Sequence, residues 1–367
     1  MSKTKLSRRE FLQLSALGLG SLALGPRLPR QRPLSGLPDF PEGEMLGRAI
    51  SSIPLRVRPD ADSAVVRTLY EDEIFPVIRR VVGTNLYRVN QTWVETPEGY
   101  AWSPDVQPVF NQPNQPVRRL PETSLGEGMW AEVSVPYVDL TLANPPARAP
   151  WLINRLETGL PPRFFYSQIV WVDQVMIDDN DQVFYRLNEK YGYGDIFWAP
   201  AEGLRPITPE EMTPLSPEVE DKRIVVDIDR QTMSCYEGNT EVYFARVSTG
   251  ALYNIRGERV DEWGTPPGQH RIWRKAVSLP LTGGSAETGW ALPAVGWISL
   301  FVGTGVAFHS TYWHNNYGVP TSRGCVNCAP DDAKWVFRWT LPQVAYDPGD
   351  VTVGMPGGTL IEVVERA

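Results

Sequence analysis

Two runs decide how this chain is read: His309-Ser310-Thr311-Tyr312-Trp313-His314 and, shortly after, Ser322-Arg323-Gly324-Cys325-Val326-Asn327. The first is entered from the apolar triplet Val306-Ala307-Phe308, which alternates out of a strand and leaves His309 at a sheet edge. The second carries Gly324, which lets the backbone approach a ligand closely beside Cys325. A helix is predicted to begin near Pro330, because proline suits a first turn and Asp331 and Asp332 complement the helix dipole. Trp335, Val336 and Trp339 then give it an apolar face. A sulfur nucleophile needs a base, a group that orients the base, and backbone donors for an oxyanion. These two runs supply all of them at short range. The helix start and Arg323 are both expected to lower the Cys325 thiol pKa, and Arg323 could also hold a substrate carboxylate.

Outward from this centre, Ile224-Val225-Val226-Asp227-Ile228 opens a β-dominated domain over 222–365, and Thr359-Leu360-Ile361-Glu362-Val363-Val364 closes it. Pro209, Pro214 and Pro217 mark the boundary before it. Proline (34) and glycine (31) are plentiful without a period, which favours short strands and tight turns along the whole chain. In 47–109, Leu55-Arg56-Val57-Arg58, Phe75-Pro76-Val77-Ile78, Leu86-Tyr87-Arg88-Val89 and Tyr100-Ala101-Trp102 read as strands. LRVRPDADSAVVRTL with EGYAWSPDV resembles bacterial SH3 domains, small β-barrels of envelope enzymes. A polar linker, 110–127, leads to a β-rich segment over 128–206. Its VFYRLNEKYGYGDIFWAPAEGLRPI repeats the shape of the first module's end, so it reads as a second, diverged SH3-like unit.

Residues 1–25 read as a twin-arginine export signal, with Lys3, Lys5, Arg8 and Arg9 before the apolar stretch Leu14 to Leu24. Left uncleaved, the segment would be a weak membrane attachment, and 26–46 is a proline-rich linker. The formal charge is −8. Residues 1–25 carry a net +3, so their removal leaves about −11, a poor balance for nucleic acid. Three cysteines are no disulfide framework, and an odd count in an exported chain asks whether one thiol is kept free.

His309-Ser310, then Ser322-x-Gly324-Cys325-Val326-Asn327, together with Ser248-Thr249-Gly250 and Gly264-Thr265-Pro266-Pro267-Gly268 upstream, resembles the signature of L,D-transpeptidases with a YkuD-type catalytic domain. The resemblance covers about 222–365. It implies a mainly β chain, in which two small SH3-like barrels precede an L,D-transpeptidase-like β-sandwich with one short helix after the nucleophile. It implies that Cys325 is the nucleophile, that His309 is the base, and that the Ser310 carbonyl orients His309. Ser322, Gly324 and Asn327 would shape the donor pocket and oxyanion site. Arg323 stands where the family often has histidine, and Cys328 where an apolar residue is usual. The implied partners are peptidoglycan stem peptides in the cell envelope, in periplasm or wall, joined by 3→3 cross-links. Trimming by water or anchoring of a protein amine are the alternatives at the same site. A monomer is expected, with no cofactor and no metal.

Rival readings stay open at this level. Cys325-x-x-Cys328 has the spacing of a redox dithiol, or of a disulfide that guards the nucleophile. Zinc could recruit His309, His314 and both cysteines. His314 reads as a substrate contact, as support behind one, or as a solvent-facing residue, and Trp313 as a substrate-groove residue with core packing as the default. Trp290 and Trp297 could line a groove, with core packing as the default. His270 and Cys235 read as structural. A wall-binding protein with a dead transferase domain is the non-enzymatic reading.

Overall fold

The computed structural model describes residues 34–254, 256–283 and 290–365. The expected export signal therefore lies outside the described residues. Residues 35–367 cluster as one compact unit, and the chain is mainly β, with two α-helices among the described residues. None of its described helices is long and apolar enough to cross a membrane.

The first module holds a three-stranded sheet around Leu46–Ala49 and a five-stranded sheet running from Val65–Leu69 to Arg79–Val82. The two enclose Ile53, Leu55, Leu69, Phe75, Val94 and Ala101. They do not close into one hydrogen-bonded barrel, so the SH3-like barrel expected here is a two-sheet packing instead. Leu86 to Val89 is a loop rather than a strand. The Gln91 side chain ties that loop by accepting from Asn85 N–H and donating to the Asn85 carbonyl, and this leaves Leu86, Tyr87 and Val89 outside.

In the second module a six-stranded sheet covers a core that includes Ala131, Val133, Val170, Tyr185 and Phe197. It too stays open. A helix, α1 (Pro150–Glu157), has proline in its first turn, and its Leu152 joins the same core as Phe164. The sequence reading took this stretch as β. The preceding segment is pinned rather than loose: Tyr185 Oη accepts from Val117 N–H at 2.6 Å, and Gln112 N–H donates to the Ser134 carbonyl at 3.0 Å.

The third module is built from two five-stranded sheets. In one, β1 (Lys222–Asp227), β2 (Thr232–Glu237) and β3 (Thr240–Arg246) form a meander. Beyond β1 lie the C-terminal strand Leu360–Val364, parallel to it, and Gly268–Arg271. The other is the long hairpin of β4 (Arg274–Gly283) and β5 (Trp290–Leu300), followed by β6 (Ala307–Ser310) and β7 (Val326–Cys328), with Asp350–Thr352 on the far edge. Ile224, Val226, Met233 and Cys235 meet Val277, Trp297, Phe308, Val326 and Cys328 between the sheets. Helix α2 (Pro330–Trp339) covers one end through Ala333, Val336 and Phe337. As expected, Pro330, Asp331 and Asp332 occupy its first turn.

The C-terminus of α2 is capped by two lysines. Lys275 Nζ, with no exposed surface, donates to the carbonyls of Phe337, Thr340 and Pro342 at 2.5, 2.7 and 2.8 Å. Lys222 Nζ donates to those of Trp339, Leu215 and Ser216 at 2.9, 2.9 and 2.7 Å. The last carbonyls of a helix lack intrahelical partners and take these donors, although burial pulls both lysine pKa values down, that of Lys275 well below its ordinary value.

Candidate active site

β6 and β7 run parallel, with Phe308 opposite Val326, His309 opposite Asn327 and Ser310 opposite Cys328. Side chains alternate along a strand, so His309 and Asn327 leave one face while Phe308, Val326 and Cys328 leave the other. Phe308, Val326 and Cys328 are all in the core. Cys325 stands in the bend just before β7, next to the strand that pairs with His309, and is half-buried. Its Sγ lies 3.8 Å from the Gly305 carbonyl.

This pattern separates the two cysteines of the Cys-x-x-Cys run. Cys328 points into the core with Cys235, and all three cysteines are free. Among the described residues no group of three or more His, Cys, Asp or Glu side chains could hold a metal ion. The redox-dithiol and zinc readings both lose their geometry.

His309 is 1% exposed, and its Nδ1 donates to the Ser310 carbonyl at 2.9 Å, which leaves Nε2 as the acceptor. Burial drives its pKa down to about 4, partly opposed by that carbonyl. Burial also pushes the Cys325 thiol up to about 11, against a weaker backbone hydrogen bond at Ala307. The expectation of a lowered thiol pKa is therefore corrected. Helix α2 begins only at Pro330, after β7, and desolvation dominates. Arg323, exposed, turns its guanidinium to the rings of Trp263 at 5.1 Å and Trp290 at 5.4 Å.

The turn before Cys325 is braced from three sides. Gly324 has φ +115°, and a Cβ there would stand 3.3 Å from Val306 Cγ2. Ser322 Oγ accepts from Gly324 N–H at 3.1 Å and donates to the Cys325 carbonyl at 2.6 Å. Its hydroxyl and the Gly324 amide are thus engaged with each other rather than turned to a ligand. Thr265 Oγ1 donates to the Gly324 carbonyl at 2.8 Å and accepts from Gly250 N–H at 2.9 Å. The two glycine-threonine turns singled out upstream therefore meet at this turn. At Gly250 a Cβ would fall 1.9 Å from the Trp263 carbonyl, so only glycine fits.

His314 sits behind His309. Burial, and secondly the charge of His309, holds its pKa down to about 3. Its Nδ1 accepts from Asn316 N–H at 3.1 Å, so the neutral ring carries its proton on Nε2. Nε2 faces Thr321 Oγ1 at 3.2 Å and the Asn327 amide at 2.8 Å. With Nδ2 on that side, Asn327 Oδ1 is buried without a partner; a half-turn of the amide puts Oδ1 on the imidazole proton. Both ring nitrogens are engaged inside the protein. Trp313 packs on the His309 ring at 5.6 Å, while Trp297 is 1% exposed and lies in the core. His270 Nε2 lies 2.9 Å from the Pro266 carbonyl.

Residues 221–363 match the family of L,D-transpeptidase catalytic domains, YkuD. This segment is an L,D-transpeptidase catalytic domain. The transpeptidase domain shares its likeness with solved structures. One is the Ldtfm-avibactam carbamoyl enzyme, at 25% identity over 41% of this chain and 51% of that one, with a TM-score of 0.30. Another is a cysteine-to-serine mutant of the Enterococcus faecium L,D-transpeptidase, at 24% over 40% and 51%, also 0.30. A third is the L,D-transpeptidase from Mycobacterium smegmatis, at 19% over 50% and 90%, again 0.30. The chain spans about half the length of the first two. No curated protein matches it.

Sequence reading brought out Cys325, His309, Ser310, Ser322, Gly324 and both upstream turns. It missed Gln231, whose buried side chain accepts from Thr249 N–H at 2.7 Å and donates to Thr249 Oγ1 at 2.6 Å. It also missed Trp263, and Arg48 of the first module, whose Nη2 donates to the Tyr312 carbonyl at 2.8 Å. No local signal marks a partner 264 residues away.

Proposed function

We propose that the chain is an exported peptidoglycan L,D-transpeptidase that works through a Cys325 thioester, with His309 as base. The observation that supports this is the parallel pair β6–β7 within the matched domain: it sets His309 beside the strand that leads out of the Cys325 bend, and Nδ1 of His309 is already committed to Ser310. The thiol stays protonated and the imidazole neutral at rest, because burial raises one pKa and lowers the other. Attack and deprotonation then run together. Sγ bonds to the carbonyl carbon of the third stem residue while its proton passes to His309 Nε2. The tetrahedral centre expels the terminal D-alanine, which leaves with that proton. A side-chain amine of a second stem attacks the thioester, the new amide forms, and sulfur regains a proton through His309. The result is a 3→3 cross-link.

Ser322 and Gly324 act by fixing the turn, and His314 with Asn327 by supporting the layer under His309, rather than by touching substrate. Trp313 and Arg323 flank the approach. The reading takes the stem peptides as partners, the envelope as location, and residues 1–25 as the export signal. Incubation of the purified protein with sacculi, followed by muropeptide analysis, tests it. New 3→3 dimers are expected from wild type and none from Cys325→Ala. Tripeptides without dimers would instead mark a carboxypeptidase.

A further inference from the structure

A cavity of about 410 Å³ opens where the three modules meet. Its walls come from the first module (Arg48, Glu71), the second (Trp151, Arg155, Arg163) and the transpeptidase domain (Trp290, Trp313). The last two residues tie it to the reacting groups. Trp290 lies 5.4 Å from the Arg323 guanidinium, and Trp313 lies against the His309 ring. A ligand in this cavity is thus a neighbour of the Cys325 turn.

The charge is unevenly distributed. Asp72, its side chain 3% exposed, is shared by Arg48 at 2.8 Å, Arg155 at 2.7 Å and Arg163 at 3.2 Å. The further carboxylates stand at the rim: Glu71, 41% exposed and 3.4 Å from Arg155, and Asp139, 39% exposed beside Arg163. Rim carboxylates are hydrated and contribute little to such pairs. Inside, three guanidiniums face one buried carboxylate. Arg155 is bound firmly through Nε to the Pro161 carbonyl at 3.0 Å and through Nη2 to Asp72, so Nη1, which meets only Glu71, is its loosest donor. A ligand carboxylate entering from the Trp290 side can take the place of Glu71, with its carbon skeleton on the indoles.

We propose that this inter-module cavity binds an acidic group of the stem peptide, a carboxylate away from the scissile bond, through Arg155, with Arg48 and Arg163 adding positive charge around it. The proposal rests on the transpeptidase reading above, and makes the second module part of the substrate site.

The test uses two synthetic tetrapeptide stems that differ only in a free second-residue carboxylate or its primary amide. In full-length Cys325→Ala, which cannot be acylated, the ratio of the two calorimetric Kd values reports what that carboxylate contributes. The free-acid stem is expected to bind about tenfold tighter, as one charge-assisted hydrogen bond supplies. Arg155→Gln in that background brings the ratio close to one. Because this change also removes an Asp72 partner, Glu71→Gln is the companion variant. It removes the competing carboxylate at the exposed rim and is expected to raise the preference a few-fold. Equal Kd values, unmoved by Glu71→Gln, would overturn the proposal. Acylation of wild-type Cys325 is followed separately by mass, so a failure of the transpeptidase reading is distinguishable from a failure of the cavity.

Discussion

At the scale of single residues, the site is set by desolvation more than by charge. His309 and Cys325 are shifted in opposite directions, to about 4 and about 11, so between those values they rest as neutral imidazole and thiol. A lowered base pKa means that the imidazole stays unprotonated until the pH falls to about 4. The acylation rate is therefore expected to hold steady from pH 7 down to pH 5 and to fall only near pH 4, as His309 protonates. Timed mass measurements across pH check this; an ascending limb near 6.5, the ordinary histidine value, would contradict it. Cys325, His309 and Gly324, the residues proposed here as nucleophile, base and turn, stand out in the sequence because a strand end, a glycine and a helix start lie within one short span. The thiol's pKa does not. It depends on how deeply neighbouring segments such as Gly305 cover the sulfur, and sequence distance says nothing of that.

Among elements, helix α2 shows how the matched domain is locked. Its N-terminal signals were readable, since Pro330, Asp331 and Asp332 are local. Its C-terminal caps were not, because Lys222 and Lys275 come from β1 and β4 and act across the fold. Lys275→Met keeps the bulk but leaves three carbonyls without their donor. A loss of about 3 kcal/mol in unfolding free energy is expected, measured by denaturant titration. A loss below about 0.5 kcal/mol would show that water or a shifted Lys222 satisfies those carbonyls. Helix α1 was missed for a related reason. It is two turns long and fully buries only Leu152, so it carries little apolar helical pattern inside a segment otherwise rich in β-formers.

Over the whole molecule, the modules are joined through polar groups that sequence could not pair. Arg48 is 3% exposed; its guanidinium donates to Asp72, Gln107 and the Tyr312 carbonyl, three residues beyond His309. The Asn315 amide nitrogen donates to Ser103 in the same region. The first module therefore grips the segment that follows the histidine. Arg48→Met leaves Asp72 with Arg155 and Arg163 but strips three charge-assisted hydrogen bonds, and is expected to cost about 2–3 kcal/mol. A midpoint of chemical denaturation equal to wild type would show that the grip is dispensable. The open sheets of the first two modules fit this role, since their shapes are completed by neighbours rather than by barrel closure.

The central claim is that Cys325 forms the acyl-enzyme. Intact-mass analysis after exposure to a carbapenem tests it most directly. Wild type is expected to gain the mass of one adduct, mapped to the peptide that contains Cys325, and Cys325→Ala to gain none. Identical spectra for the two proteins, with no adduct on either or the same adduct on both, would contradict it.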